Sequence, residues 1–287
     1  MSHHIQSFFH EDTFTFTHLL MDDATAQAAL IDPVMDFDQK SGRTSTEFID
    51  EILARIKDQD LTLKYVLETH AHADHLTSAD YIRKQTGAAI VIGSPITTVQ
   101  GTFKKIFNEG DRFVADGHQF DQLIHDGEEI ILGESRIRAI ATPGHTPACH
   151  SLLVNNSDVF VGDTIFAPDV GSARCDFPGG DAAVLWESVK KLMALGDGVV
   201  MHLCHDYPPE ERDVISAVTV GEQRKENIHM KDSVSREDFI GMRAERDATL
   251  DMPRLILPSL QVNIRAGALP EAEDNGVSYL KLPLNLL

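Results

Sequence analysis

Within seven residues, Thr69-His70-Ala71-His72-Ala73-Asp74-His75 carries three imidazoles and a carboxylate. Neutral imidazole is a good ligand for zinc and iron, and a carboxylate favours the more highly charged metal states. Histidines at i and i+2 of an extended segment share a side, so His70 and His72 can address one cation. Asp74 and His75 can turn toward a second cation or orient the ligands of the first. Gly144-His145-Thr146, Gly162-Asp163-Thr164 and His205-Asp206-Tyr207 repeat this chemistry later in the chain. A lone loop histidine is a solvated side chain, which is the reading for His118 and His125. Four candidate ligands within six residues are not explained that way. His150 is read as structural, and the adjacent pair His3 and His4 as neither structural nor catalytic.

Each stretch needs a rigid element to deliver it. Strands are expected over Phe14 to Leu20 and over the apolar run Ala28 to Val34. Leu63 to Leu67 reads as a buried strand running into His70. Apolar spacing predicts helices over Thr46 to Lys57, Ser78 to Thr86 (closed by Gly87) and Pro95 to Phe107. Between them, Ala88 to Ile92 reads as a strand. Asp111 to Val161 reads as short strands with turns at Asp126-Gly127 and Asn155-Asn156. A helix is expected from Asp181, its N-cap, to Leu195, followed by a strand from Gly198 to Leu203. Glu210 to Asn227 and Arg236 to Ala248 read as helical, and Met252 to Leu287 as a Pro-punctuated tail. The candidate ligands all sit just after a strand, so one sheet edge can gather them.

The 287 residues carry a net charge of −20, which disfavours nucleic acid as a partner but not a small anion in an arginine-lined pocket. Three scattered cysteines (Cys149, Cys175 and Cys204) give neither a disulfide framework nor a four-cysteine zinc site and fit a reducing compartment. No signal peptide or membrane span is evident, so a cytoplasmic bacterial protein with no membrane partner is expected.

As an ensemble, Thr-His-x-His-x-Asp-His, Pro-Gly-His-Thr, Gly-Asp-Thr and a late His resemble the metallo-β-lactamase superfamily. The implied fold is α/β, an αββα sandwich with metal at one edge. Ile31-Asp32-Pro33-Val34, Thr142 to Pro147 with Cys149, and His205-Asp206-Tyr207 are similar to its persulfide dioxygenase branch, including bacterial members called β-lactamase-like hydrolases. Gly171 to Phe177 is similar to that branch's Gly-Arg-x-Asp-Phe element, with Ala173 in place of the Gly before Arg. Val262 to Gly267 resembles its Asn-Met-Arg-Cys-Gly motif, with Ala266 in place of Cys. The likeness runs from about residue 12 to 267. The stretch between Gly93 and Asp126 is longer than in compact members, and Ala268 to Leu287 extends past the last shared motif. The expected division is a catalytic domain over 1–250 and a C-terminal extension over 251–287 that packs on it.

The resemblance implies one Fe(II) per chain held by His70, His145 and Asp163. His72, Asp74, His75 and His205 would then surround that site or hold a second metal. The implied reaction oxidises a thiol persulfide, such as glutathione persulfide, with O2 to sulfite and thiol. Asp74, Arg174 and Tyr207 are the catalytic candidates; Arg174, Tyr207 and Arg265 are the substrate-binding candidates. Arg174 suits an oxyanion, or else pairs with Asp176 or Asp206. A homodimer is also implied. The competing expectation is a thioester hydrolase resembling glyoxalase II, with one or two Zn(II) on the same residues.

Overall fold

The apolar runs become strands buried on both faces. In a computed structural model describing residues 2–286, the first half of the chain forms β1 (His3–His10), β2 (Thr15–Asp22), β3 (Gln27–Ile31), β4 (Val34–Asp38), β5 (Arg43–Ser45), α1 (Glu47–Asp58), β6 (Thr62–Glu68), β7 (Leu76–Thr77), α2 (Ala79–Thr86), β8 (Ala89–Gly93), α3 (Ile96–Ile106) and β9 (Gln122–Ile124). The second half forms β10 (Glu129–Leu132), β11 (Ser135–Ala141), β12 (His150–Val154), β13 (Asp158–Phe160), α4 (Ala182–Met193), β14 (Val200–His202), β15 (Ala217–Thr219), α5 (Val220–Glu226), α6 (Arg236–Asp247) and α7 (Ile256–Asn263). Two six-stranded sheets result, ordered β1-β2-β3-β6-β8-β9 and β10-β11-β12-β13-β14-β15, with β4, β5 and β7 as a small third sheet. Strands β3, β6, β8 and β9 run parallel, as do β13 and β14.

Side-chain alternation explains the layering. Leu20, Ala29, Ile31, Leu67, Val91, Leu152 and Phe160 meet between the sheets. Their strand neighbours Leu19, Leu30, Val66, Ile90 and Ile92 point outward onto α1 to α3. Leu153, Val159 and Met201 point the other way onto the helical layer of Leu185, Val189 and Phe239. The order is helix, sheet, sheet, helix. Among the described residues, no helix is long and apolar enough to cross a membrane.

Several local expectations are met. Asp181 caps α4, its carboxylate accepting from Val184 N at 2.9 Å. Asn155 and Asn156 take positive φ at the two central positions of the β12–β13 turn, which Ser157 N closes by donating to Val154 O at 3.0 Å. Others change. Asp32 takes φ +49°, which splits the expected Ala28 to Val34 run into β3 and β4. Glu210 to Asn227 is not one helix. The buried Asp206 carboxylate binds Arg212 through both oxygens (2.7 and 2.8 Å) and Ile215 N, holding this stretch as a loop. The helix starts only at Val220, under a capping box of Thr219 and Glu222.

His3 is structural, contrary to expectation. It lies in β1, which pairs along β2, and its Nε2 is 3.0 Å from Asp158. Beyond residue 250, Ile256, Leu260, Ile264 and Ala266 join the core beside α1 and α2.

One buried histidine makes stability depend on pH. His18 Nε2 donates to Leu203 O at 2.9 Å, and its Nδ1 accepts from Ser7 Oγ at 2.9 Å. Burial, reinforced by His202, lowers its pKa to about 3 from the ordinary 6.5. The unfolded chain therefore takes up a proton below pH 6.5 that the folded chain refuses, so stability falls as pH falls through this window. Urea unfolding should show the parent losing about 1.4 kcal/mol per pH unit more than His18→Gln between about pH 6 and 4.5. Equal slopes would remove His18 from the linkage.

Candidate metal centre

The candidate ligands converge where strands of both sheets end. His70, His72, Asp74 and His75 lie on the loop between β6 and β7. His145 lies between β11 and β12, Asp163 in a single helical turn after β13, and His205 after β14. Two glycines make the approach possible. Gly144 has φ +134°, and a Cβ there would lie 2.4 Å from the Leu185 backbone. Gly162 has φ +52°, and a Cβ there would lie 2.6 Å from Thr69 Oγ1. Any other residue would push His145 or Asp163 out of place.

Two ligand groups share Asp163. One is His70, His145 and Asp163, with ligand atoms within 4.8 Å of one another. Asp163 Oδ2 is 3.7 Å from both His70 Nε2 and His145 Nε2. On the other side, Asp163 Oδ1 is 3.3 Å from His205 Nε2, and Asp74 Oδ2 is 3.0 Å from the same nitrogen. His72, Asp74, His75 and His205 form a second group within the same limit, and His72, Asp163, Cys204 and His205 a third. Asp32, Glu68 and His72 form a fourth.

The outward ring nitrogens are fixed by hydrogen bonds. His145 Nδ1 donates to Arg174 O at 2.8 Å, and His205 Nδ1 to Phe14 O at 3.2 Å. His70 Nδ1 lies 3.2 Å from Thr69 Oγ1, which donates to Asp32 Oδ2 at 2.9 Å. His75 Nδ1 donates to Asp74 Oδ1 at 3.1 Å. Each ring therefore turns its Nε2 lone pair inward. His72 differs: its Nε2 lies 3.0 Å from Asp32 Oδ1 but out of line for a hydrogen bond.

The inward atoms have no partner within the protein. His70 Nε2, both His72 nitrogens, His75 Nε2, His205 Nε2 and Asp163 Oδ1 are buried without a hydrogen bond. Buried polar atoms without partners are costly, and so many around one point fit a cation. Protonation favours the same use at His70, His72 and Asp74. Burial, then repulsion from neighbouring imidazoles, holds His70 and His72 well below the usual range, so both are neutral ligands. Burial opposes ionisation of Asp74, but His205 and His75 outweigh it and hold its carboxyl low. Burial raises Asp163, and burial followed by Asp32 raises Glu68.

A cavity of about 440 Å³ opens onto the Asp163 side. His145, Asp74, Phe166, Phe177, Tyr207 and Arg174 are among its walls, and Arg243, Arg246 and Arg254 add positive charge. Tyr207 stacks on His205 at 5.8 Å. Arg174 lines the cavity with its fork already engaged, both arms 2.6 Å from Asp176 and Nη1 donating to Asp251 O at 2.7 Å. Its contribution to the centre is its carbonyl, which orients His145.

Arg265 is a correction. It does not line this cavity but a separate one of about 1140 Å³, bound to Glu109 at 2.9 Å and to Gln261 O. The neighbouring Asn263 is the residue of that motif that serves the centre. Its Nδ2 donates to His72 O and His75 O at 2.8 Å each, and its Oδ1 accepts from Thr77 N at 2.9 Å. The Val262 to Gly267 motif drew attention to this region, but the role went to its charged residue. Cys204 was also unanticipated, because nothing in its spacing ties it to His72.

The sequence matches the Metallo-beta-lactamase superfamily over residues 19–205, and the chain belongs to that superfamily. It is 48% identical to a probable metallo-hydrolase of Burkholderia pseudomallei over 99% of both chains. It is 51% identical to Glyoxylase B2 of Dictyostelium discoideum, covering 94% of this chain and 92% of the relative. Human mitochondrial persulfide dioxygenase ETHE1 is 29% identical over 92% of this chain and 88% of its own length. The crystal structure of ETHE1 from Myxococcus xanthus superposes with a TM-score of 0.73 at 29% identity, covering 92% of this chain and all of that one.

Asn263 gives the test of how the centre is held. Asn263→Ala leaves two carbonyls and an amide buried without partners, so unfolding should show a loss of about 2–4 kcal/mol. Metal content after dialysis should fall with it. Unchanged retention would mean that the loop is held without Asn263.

Proposed function

We propose that this chain is a persulfide dioxygenase. It would convert glutathione persulfide, or a related low-molecular-weight persulfide, with O2 and water to sulfite and thiol, using one iron held by His70, His145 and Asp163. The observation that carries this reading is the two-histidine, one-carboxylate group facing an arginine-lined cavity. When bound, iron in such a group supplies open positions for the sulfane sulfur and O2, and the electrons. The chain supplies the rest. Phe166, Phe177 and Tyr207 make an apolar wall that excludes water from the sulfur. Asp74, which lines the cavity and lies 3.0 Å from His205, can orient the water whose attack releases sulfite. Among the described residues, Arg246 and Arg254 are not paired with carboxylates and suit the carboxylates of a glutathione-like carrier.

A second reading is a zinc thioester hydrolase. The second ligand group favours it, as do the names of two relatives, a metallo-hydrolase and a glyoxylase. Metal count and oxygen uptake separate the two. Anaerobically iron-loaded protein should hold about one iron per chain and consume O2 with glutathione persulfide. Uptake should fall to background in His70→Ala. Arg246→Ala and Arg254→Ala should each raise KM about two- to fivefold with little change in kcat. No uptake above the His70→Ala control, together with two zincs and thioester cleavage, overturns the dioxygenase reading.

A homodimer belongs to the same proposal, with the exposed Leu280, Leu282, Leu284 and Leu286 as the surface at which it forms. Light scattering that gives the mass of one chain overturns that part.

A further inference from the structure

We propose that Asp247, at the end of α6, is the remote carboxylate partner of His145 and acts on its imidazole through the single peptide group that joins Arg174 to Cys175. The carbonyl of that group accepts from His145 Nδ1 at 2.8 Å. Its N–H donates to Asp247 Oδ2 at 2.9 Å. A peptide group is planar, and its C=O and N–H point to opposite sides. Whatever fixes the N–H therefore fixes the carbonyl, and with it the direction of the His145 ring.

Other residues of α6 and of the stretch before it hold the same segment. Arg243 binds Asp247 Oδ1 from one helical turn earlier, and its Nη1 donates to Ser172 O at 3.0 Å. Ser172 N donates to His229 Nδ1 at 3.0 Å, and Asn227 Nδ2 donates to Gly171 O at 3.1 Å. Arg243 and Asp247 are both buried. A buried ion pair contributes little over an apolar pair of similar volume, because desolvation offsets the attraction. The bonds that this pair sends to Ser172 O and Cys175 N, on either side of Arg174, account better for its presence.

Charge acts along the same line. A carboxylate on the N–H polarises the peptide and makes its carbonyl a stronger acceptor. His145 then keeps its proton on Nδ1 and presents a more basic Nε2, as it would with a carboxylate bound to it directly. The effect on metal rests on His145 being a ligand, as in the proposed function. The link to Asp247 does not, and it is the same for a dioxygenase and a hydrolase.

NMR of the full-length protein carrying isotope-labelled histidine, metal-free and then zinc-loaded, tests the link. The metal-free parent should show His145 as the Nδ1–H tautomer with a slowly exchanging ring proton, assigned by its loss in His145→Ala. In Asp247→Ala that proton should exchange with water at least about tenfold faster, because local opening now frees it. Zinc should bind that variant about tenfold more weakly. The ring proton of His205, which donates to Phe14 O at 3.2 Å, should keep its rate and is the internal control. The double variant Arg243→Met/Asp247→Leu leaves no unpaired charge buried, so it should show the same selective change, and it decides the matter if Asp247→Ala does not fold. An unchanged His145 proton, or equal acceleration at His145 and His205, overturns the proposal. A His145 Nε2 resonance that zinc does not move would instead remove His145 from the ligand set, with the exchange comparison still deciding the link.

Discussion

The structure depends on the desolvation of polar ligand atoms around Asp163. Five imidazoles (His70, His72, His75, His145 and His205) and the carboxylates of Asp74 and Asp163 crowd one small volume. Most of their inward atoms have no partner in the protein. Burying such groups costs several kcal/mol each unless something satisfies them. A cation does so, and metal binding is then coupled to the order of this edge of the fold. The outward hydrogen bonds from Thr69, Phe14 and the Arg174 carbonyl matter because they leave each ring a single useful direction.

Holding that cluster is the task of the architecture. The loops leave the ends of β6, β13 and β14, while His145 arrives on the connection between β11 and β12. Each strand is clamped on two faces by apolar side chains, so the loop origins are rigid. Backbone conformations do the final placing. Gly144 and Gly162 let the chain pass where a Cβ would collide, and Asp32 turns out of β3 so that its carboxylate reaches Thr69. Asn263, from α7, ties two carbonyls of the histidine loop from behind.

The two sides of Asp163 differ in access and in chemistry. One faces a cavity with arginines at its mouth, a local reversal of a chain whose net charge is −20. The other faces His205 at 3.3 Å, in a set that also includes the thiol of Cys204.

The sequence by itself determined the ligand types and their grouping after strands, and the resemblance of its motifs to the metallo-β-lactamase superfamily implied the four-layer fold. Dense His and Asp at fixed spacing has few other uses, and runs such as Ala28 to Ile31 alternate between two buried faces. Local signals also settled Asp181 as a cap and Asn155-Asn156 as a turn, because those effects act within a few residues. Only the tertiary structure decided what depends on distant partners. Arg174 and Arg265 stood open between anion binding and a structural ion pair until Asp176 and Glu109 were seen to occupy them. His3 looked idle until β14 and β13 brought Asp158 to it, and the stretch after Glu210 looked helical until Asp206 captured Arg212. Asn263 and Cys204 carry no spacing relation to the histidine loop. They reach it because α7 and the end of β14 pack there, and packing between distant segments leaves no periodic trace in the chain.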